Sequence, residues 1–108
     1  MEIMSGSGPE KMVEQDRPGA CRLVVTGKVQ GVGYRDWMIK KARRMSLLGW
    51  VRNRLDGSVE AHVEGQPAQV GELVEACRRG PMLAKVDHVD VAAASLEHPE
   101  GFHRRPTA

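Results

Sequence analysis

The pattern of apolar and polar positions divides the chain after about residue 20. Residues 1–20 (MEIMSGSGPEKMVEQDRPGA) mix Gly, Ser, Pro and charge with no sustained period, the composition of a tail outside a fold. Residues 21–108 read as one domain. Leu23-Val24-Val25-Thr26 is a β-branched run closed by Gly27, which predicts a buried strand. Lys28–Gly33 carries two glycines in three positions and reads as a loop. From Tyr34 to about Leu47 apolar residues recur near the helical period (Tyr34, Trp37 or Met38, Ala42, Met45), and Ser46 and Gly49 mark the exit. Leu48–Asn53 predicts a second strand, and Asp56-Gly57 is a hairpin signal ahead of a third. In that third strand Val59, Ala61 and Val63 alternate with Glu60, His62 and Glu64, so one face is expected to be buried and the other wet. Gly65–Pro67 leads into a second helix with an apolar stripe at Val70, Leu73, Val74 and Cys77, stopped by Gly80-Pro81. Val86 to about Leu96 predicts a fourth strand. Phe102–Arg105 adds a short terminal one after the turn at 98–101.

The resulting order, β-α-β-β-α-β, is that of an α+β, ferredoxin-like βαββαβ sandwich: an antiparallel sheet with both helices on one face. That topology hosts many unrelated activities, so function has to be argued from a site.

Composition narrows the classes. The 108 residues suit a single domain, and 41% apolar with 28% charged residues is ordinary for a globular chain. The net charge of +2 is scattered. The pairs Lys40-Lys41, Arg43-Arg44, Arg78-Arg79 and Arg104-Arg105 read as solvated faces rather than as a nucleic-acid footprint. The aromatics are only Tyr34, Trp37, Trp50 and Phe102, and both tryptophans read as core. An RNA-binding domain of this topology would carry aromatics on the exposed faces of its central strands, where this chain has Glu, His and Arg. Cys21 and Cys77 lie far apart and outside any CxxC pair, and Cys77 falls on the helical stripe, so free thiols are expected. No apolar run reaches transmembrane length and no signal-peptide layout opens the chain, so the expectation is a cytoplasmic protein with neither membrane nor nucleic acid as a partner. A monomer is the default at this size. His62, His88, His98 and His103 have no metal-ligand spacing, and His62 and His88 fall on strand positions expected to face solvent. Asp36 suits the acidic preference of a helix first turn, and no serine has the context of a nucleophile. Neither a metal nor a cofactor is expected.

The chemistry-bearing stretch is the loop Gly27–Arg35 (GKVQGVGYR). Gly31 and Gly33 let backbone amides turn inward and approach an anion closely. The loop feeds a helix N-terminus, whose unpaired amides and dipole favour negative charge. Arg35 lies in that first turn, where a cation gains nothing from the dipole; a bound anion between its guanidinium fork and the amides would account for it. Asp36 stands where the dinucleotide fingerprint needs its third glycine, and no Gly-Lys-Ser/Thr follows, so this is not an ordinary nucleotide cradle.

Val25-x-Gly27-x-Val29-Gln30-Gly31-Val32-Gly33-Tyr34-Arg35 resembles the first signature of the acylphosphatase family, with Tyr34 in place of the usual phenylalanine. Gly49-Trp50-Val51-Arg52-Asn53, followed by Gly57-x-Val59 and Gly65, resembles the second. With the Phe102-His103-Arg104 ending, the resemblance covers about residues 22–105. It implies that Arg35 binds the phosphate of a small-molecule acyl phosphate and that Asn53 positions the attacking water. Backbone amides of Gln30, Gly31, Val32, Gly33 and Tyr34 would complete the cradle. The alternatives are a non-catalytic anion-binding module that keeps the loop, and the RNA-binding reading; a turnover assay and a gel shift separate them.

Overall fold

The computed structural model describes residues 19–108. The elements run β1 (Gly19–Lys28), α1 (Tyr34–Arg44), β2 (Leu48–Asn53), β3 (Val59–Gly65), α2 (Pro67–Cys77), β4 (Lys85–Ala94) and β5 (Phe102–Arg104). The expected tail falls mostly on residues 1–18, outside the described residues. Gly19 and Ala20 already pair with Gly65 and Glu64, so the first strand starts before the apolar run that announced it.

The five strands form one sheet in the order β4-β1-β3-β2-β5. β1 lies antiparallel between β3 and β4, and β2 and β3 form the expected hairpin. This is the ferredoxin-like split βαβ arrangement with one correction. β5 runs parallel to β2, so the sheet is mixed rather than antiparallel. Parallel pairing needs a crossover connection. Here residues 54–101 separate the two strands, and the last of them, 95–101, cross the sheet from β4 at one edge to β5 at the other.

Both helices pack on the same face, over a core that includes Leu23, Val25, Val51, Ala61, Leu73 and Phe102. α1 ends at Arg44, three residues before the periodicity fades. Ser46 takes a left-handed φ of 57°, Leu47 N–H donates to the Ala42 carbonyl at 2.9 Å and Ser46 N–H to the Arg43 carbonyl at 3.1 Å. That is a Schellman closure, with serine standing where glycine is usual and Leu47 folded back into the core. α2 begins at Pro67, whose missing N–H costs nothing in a helix first turn.

The other face of the sheet departs from expectation. Glu60, His62 and Glu64 alternate with the core residues as predicted, yet they are buried, His62 completely. The cover is the crossover itself. Glu97 N–H donates to Glu64 Oε2 at 2.5 Å, and Trp50 Nε1–H donates to Glu97 Oε1 at 3.0 Å. Beneath it His62 Nε2 meets Glu64 Oε2 at 2.6 Å and the imidazole stacks on Trp50. Arg22 and Arg52 both reach Glu60, at 3.0 and 2.8 Å. The guanidinium carbons of Arg22, Arg52 and Arg105 lie 4.3–5.1 Å from the Trp50 ring centre. Trp50 is thus buried on the face opposite the helices, under charged side chains. His88 is exposed, as expected.

Candidate active site

The loop between β1 and α1 takes its shape from two glycines. Gly31 and Gly33 have φ of 75° and 79°, left-handed values that other residues adopt at a cost of roughly 1–2 kcal/mol. A Cβ at either position would meet nothing, so the demand here is dihedral and not steric. Gly33 is also the N-cap of α1 and supplies no side-chain cap, leaving the first amides of the helix to whatever occupies the space before them.

That space is a cavity of about 230 Å³. It is lined by Val29, Gly31, Gly33 and Tyr34 from the loop side, by Arg35 of α1 and by Asn53 of β2. Asn53 arrives as the last residue of β2, with its main chain held from both sides. Val59 of β3 is its partner on one side, and on the other the Ala108 N–H donates to its carbonyl at 3.1 Å. Odd-numbered residues of β2 face the helices, so Asn53 points to the same side of the sheet as Val51 and reaches the α1 terminus. Its Oδ1 is buried and accepts no hydrogen bond among the described residues. A buried acceptor of this kind favours a donor entering the cavity.

The residues singled out from the sequence therefore converge in part through side chains and in part through main chain. Arg35 and Asn53 face one cavity. Tyr34 contributes its backbone, while its ring is buried in the core and its hydroxyl donates to the Cys77 carbonyl at 2.6 Å. Burial raises the Tyr34 hydroxyl pKa well above its ordinary value and pushes the Cys77 thiol up to about 12, so both stay neutral. The Val32 side chain packs against the core. The Gln30 side chain turns away from the cavity, its Nε2 donating to the carbonyls of Arg54 and Ser58, both at 2.8 Å. Gln30 thereby ties the loop to the hairpin that follows Asn53.

Two residues of the cavity were missed from the sequence. Asp36 and Arg104 line it and form an ion pair across its mouth. In the sequence the helix dipole is enough to account for Asp36, and Arg104 reads as part of a solvated arginine pair. No local signal marks Arg104, because it reaches the site only through the parallel pairing of β5 with β2, where it sits beside Val51.

A larger, mostly apolar groove of about 450 Å³ runs between α2 and β1, away from this cavity. Among the described residues no group of three His, Cys, Asp or Glu is gathered to hold a metal ion, and no helix is long and apolar enough to cross a membrane.

The acylphosphatase family model matches residues 21–104. The chain is 51% identical over 88 residues to an acylphosphatase of Acidiphilium cryptum, an alignment covering 82% of this chain and 97% of that protein. Among solved structures it is similar to the Bacillus subtilis acylphosphatase, with a TM-score of 0.77 and 38% identity over 80% of this chain and 97% of the other. It is also similar to a Coxiella burnetii acylphosphatase, with a TM-score of 0.80 and 33% identity over 87% and 100% of the two chains.

Proposed function

The chain belongs to the acylphosphatase family, and from that premise we propose how this cavity cleaves the carboxyl–phosphate bond of an acyl phosphate, with Arg35 and Asn53 as its catalytic residues. What supports the reading above all is one juxtaposition: a guanidinium, a buried amide oxygen without a partner among the described residues and the open amides of a helix N-terminus face the same small cavity.

The phosphoryl group sits on the amides of the Gln30–Tyr34 loop, with the Arg35 fork on its oxygens. Asn53 Oδ1 accepts a hydrogen bond from a water and aims it at phosphorus. The water oxygen bonds to phosphorus as the bond from phosphorus to the acyl oxygen breaks, and that electron pair leaves on the carboxylate. The leaving group is a carboxylate with an ordinary pKa near ~4, so it departs without a proton donor. Asparagine is no base at ordinary pH, so the water's proton passes to an oxygen of the phosphoryl group itself. Charge stabilisation and positioning are then the whole task of the protein, which is what phosphoryl transfer asks for.

Hydrolysis of benzoyl phosphate in the presence of EDTA tests the reading. Arg35→Ala should lose about 10²–10³ in kcat/KM together with inhibition by phosphate, the usual cost of one preorganised charge-stabilising donor. Asn53→Ala should still bind phosphate while turnover collapses. Wild-type activity in Arg35→Ala would end the proposal. A phosphate-binding wild type without turnover would identify a binding module instead.

A further inference from the structure

A carboxylate at the mouth of an anion-binding cavity opposes the binding of an anion, and Asp36 stands there. Its partner is Arg104, the second guanidinium of the same cavity. The two side chains are 66% and 44% exposed, so this is a solvent-screened surface ion pair, readily exchanged. Only Nη2 of Arg104 is engaged by Asp36. Among the described residues nothing engages the rest of the guanidinium fork, and a phosphoryl group carries up to two negative charges against the single charge of the carboxylate. Arg104 stands on β5 beside Val51, next to the strand end that carries Asn53, whereas Arg35 belongs to the helix side. The two cations therefore approach the cavity from different elements.

We propose that Arg104 is a second phosphoryl-binding residue, held by Asp36 in the empty enzyme and transferred to the phosphoryl oxygens when substrate enters. Asp36 then turns to solvent, and it retakes Arg104 as inorganic phosphate leaves. Asp36 is thus a built-in competitor that weakens product binding. The proposal rests on the phosphate cavity argued above. It adds a second cation and a counter-ion acting with opposite signs.

The test uses inorganic phosphate as the probe, by isothermal titration calorimetry, beside inhibition of benzoyl phosphate hydrolysis. Arg104→Gln should weaken phosphate binding about fivefold or more and lower kcat/KM about 10- to 100-fold, less than a fully buried donor would because the site is half open. Arg104→Lys should recover part of the binding through charge alone. Asp36→Asn should tighten phosphate about threefold or more. In an Arg104→Gln background that gain should shrink at least threefold, the coupling expected if Asp36 acts through Arg104. Opposite signs separate this role from a structural one, since breaking a merely structural pair from either side would impair the protein alike. Phosphate affinity within twofold of wild type in Arg104→Gln, or weakened in Asp36→Asn, would overturn it. The calorimetric arm needs no turnover, so a wild type that binds phosphate without hydrolysing benzoyl phosphate refutes the catalytic reading and leaves this one standing.

Discussion

Gln30 offers a direct test of how the site is held together. Both hydrogens of its amide are committed, to the Arg54 and Ser58 carbonyls at 2.8 Å, and they join the loop before α1 to the hairpin just beyond Asn53. Gln30→Leu keeps the approximate volume and removes both donors. Neither carbonyl is left bare. Gly57 N–H still reaches Arg54 O at 3.1 Å, and Arg54 N–H reaches Ser58 O at 2.9 Å. The loss is therefore that of two ordinary hydrogen bonds, without the extra cost of an orphaned acceptor, or about 1–3 kcal/mol in total. Urea denaturation monitored by tryptophan fluorescence should give that decrement with an unchanged slope. The clamp joins the loop whose amides are proposed to hold the phosphoryl group to the hairpin beside Asn53, so kcat should fall about tenfold or more and phosphate inhibition should weaken with it. Gln30→Glu sharpens the test, because an ionised carboxylate cannot donate and would face two carbonyl oxygens. It should be worse than leucine at pH 7 and recover as the carboxyl takes up a proton. A Gln30→Leu protein within about 0.5 kcal/mol of wild type, or one with kcat and phosphate affinity both unchanged, would refute the clamp.

The remaining predictions concern stability. Glu60 and Glu64 pay a desolvation penalty that raises their pKa, yet Arg52 and Arg22 at Glu60, and the Glu97 N–H and His62 at Glu64, outweigh it and hold both below the ordinary value. Groups depressed in the folded state stabilise it fully above their unfolded pKa of about 4.3 and lose that contribution as pH falls through the folded value. Urea midpoints should therefore stay level from pH 7 to about 5 and drop below about 4, and Glu60→Gln or Glu64→Gln should flatten that drop; an undiminished drop in both variants would contradict the assignment. Tyr34→Phe removes a buried hydroxyl that satisfies the Cys77 carbonyl and should cost about 1–2 kcal/mol in chemical denaturation, despite the small change in shape. At Gly49, with φ of 148°, an added Cβ would lie 1.8 Å from the His62 carbonyl oxygen and 2.9 Å from the Phe102 ring. Gly49→Ala should consequently lose about 3 kcal/mol or more, visible as a large fall in melting temperature, and a near-normal melt would show that the β2–β3 pairing has more room than this geometry allows.

The chain alone determined what local rules can carry. β-Branched runs, the spacing of Val70, Leu73, Val74 and Cys77, and Gly80-Pro81 specify their elements through dihedral preference and periodicity, which act within a few residues. The loop glycines and Arg35 marked a possible anion site for the same reason, whereas Asn53 was singled out only by the resemblance of its motif to the acylphosphatase signature. Tertiary structure decided the rest. A strand that alternates Val and Glu looks half-wet until a crossover folds over its polar side, and Glu97 is 33 residues from the Glu64 it covers. Arg104 and Asp36 are 68 residues apart and meet only because β5 pairs parallel with β2. Gln30 belongs to the loop by sequence and to the hairpin by hydrogen bonding, 24 and 28 residues away. Local periodicity says which side of a strand is apolar, but whether the other side meets water depends on what the rest of the chain lays across it.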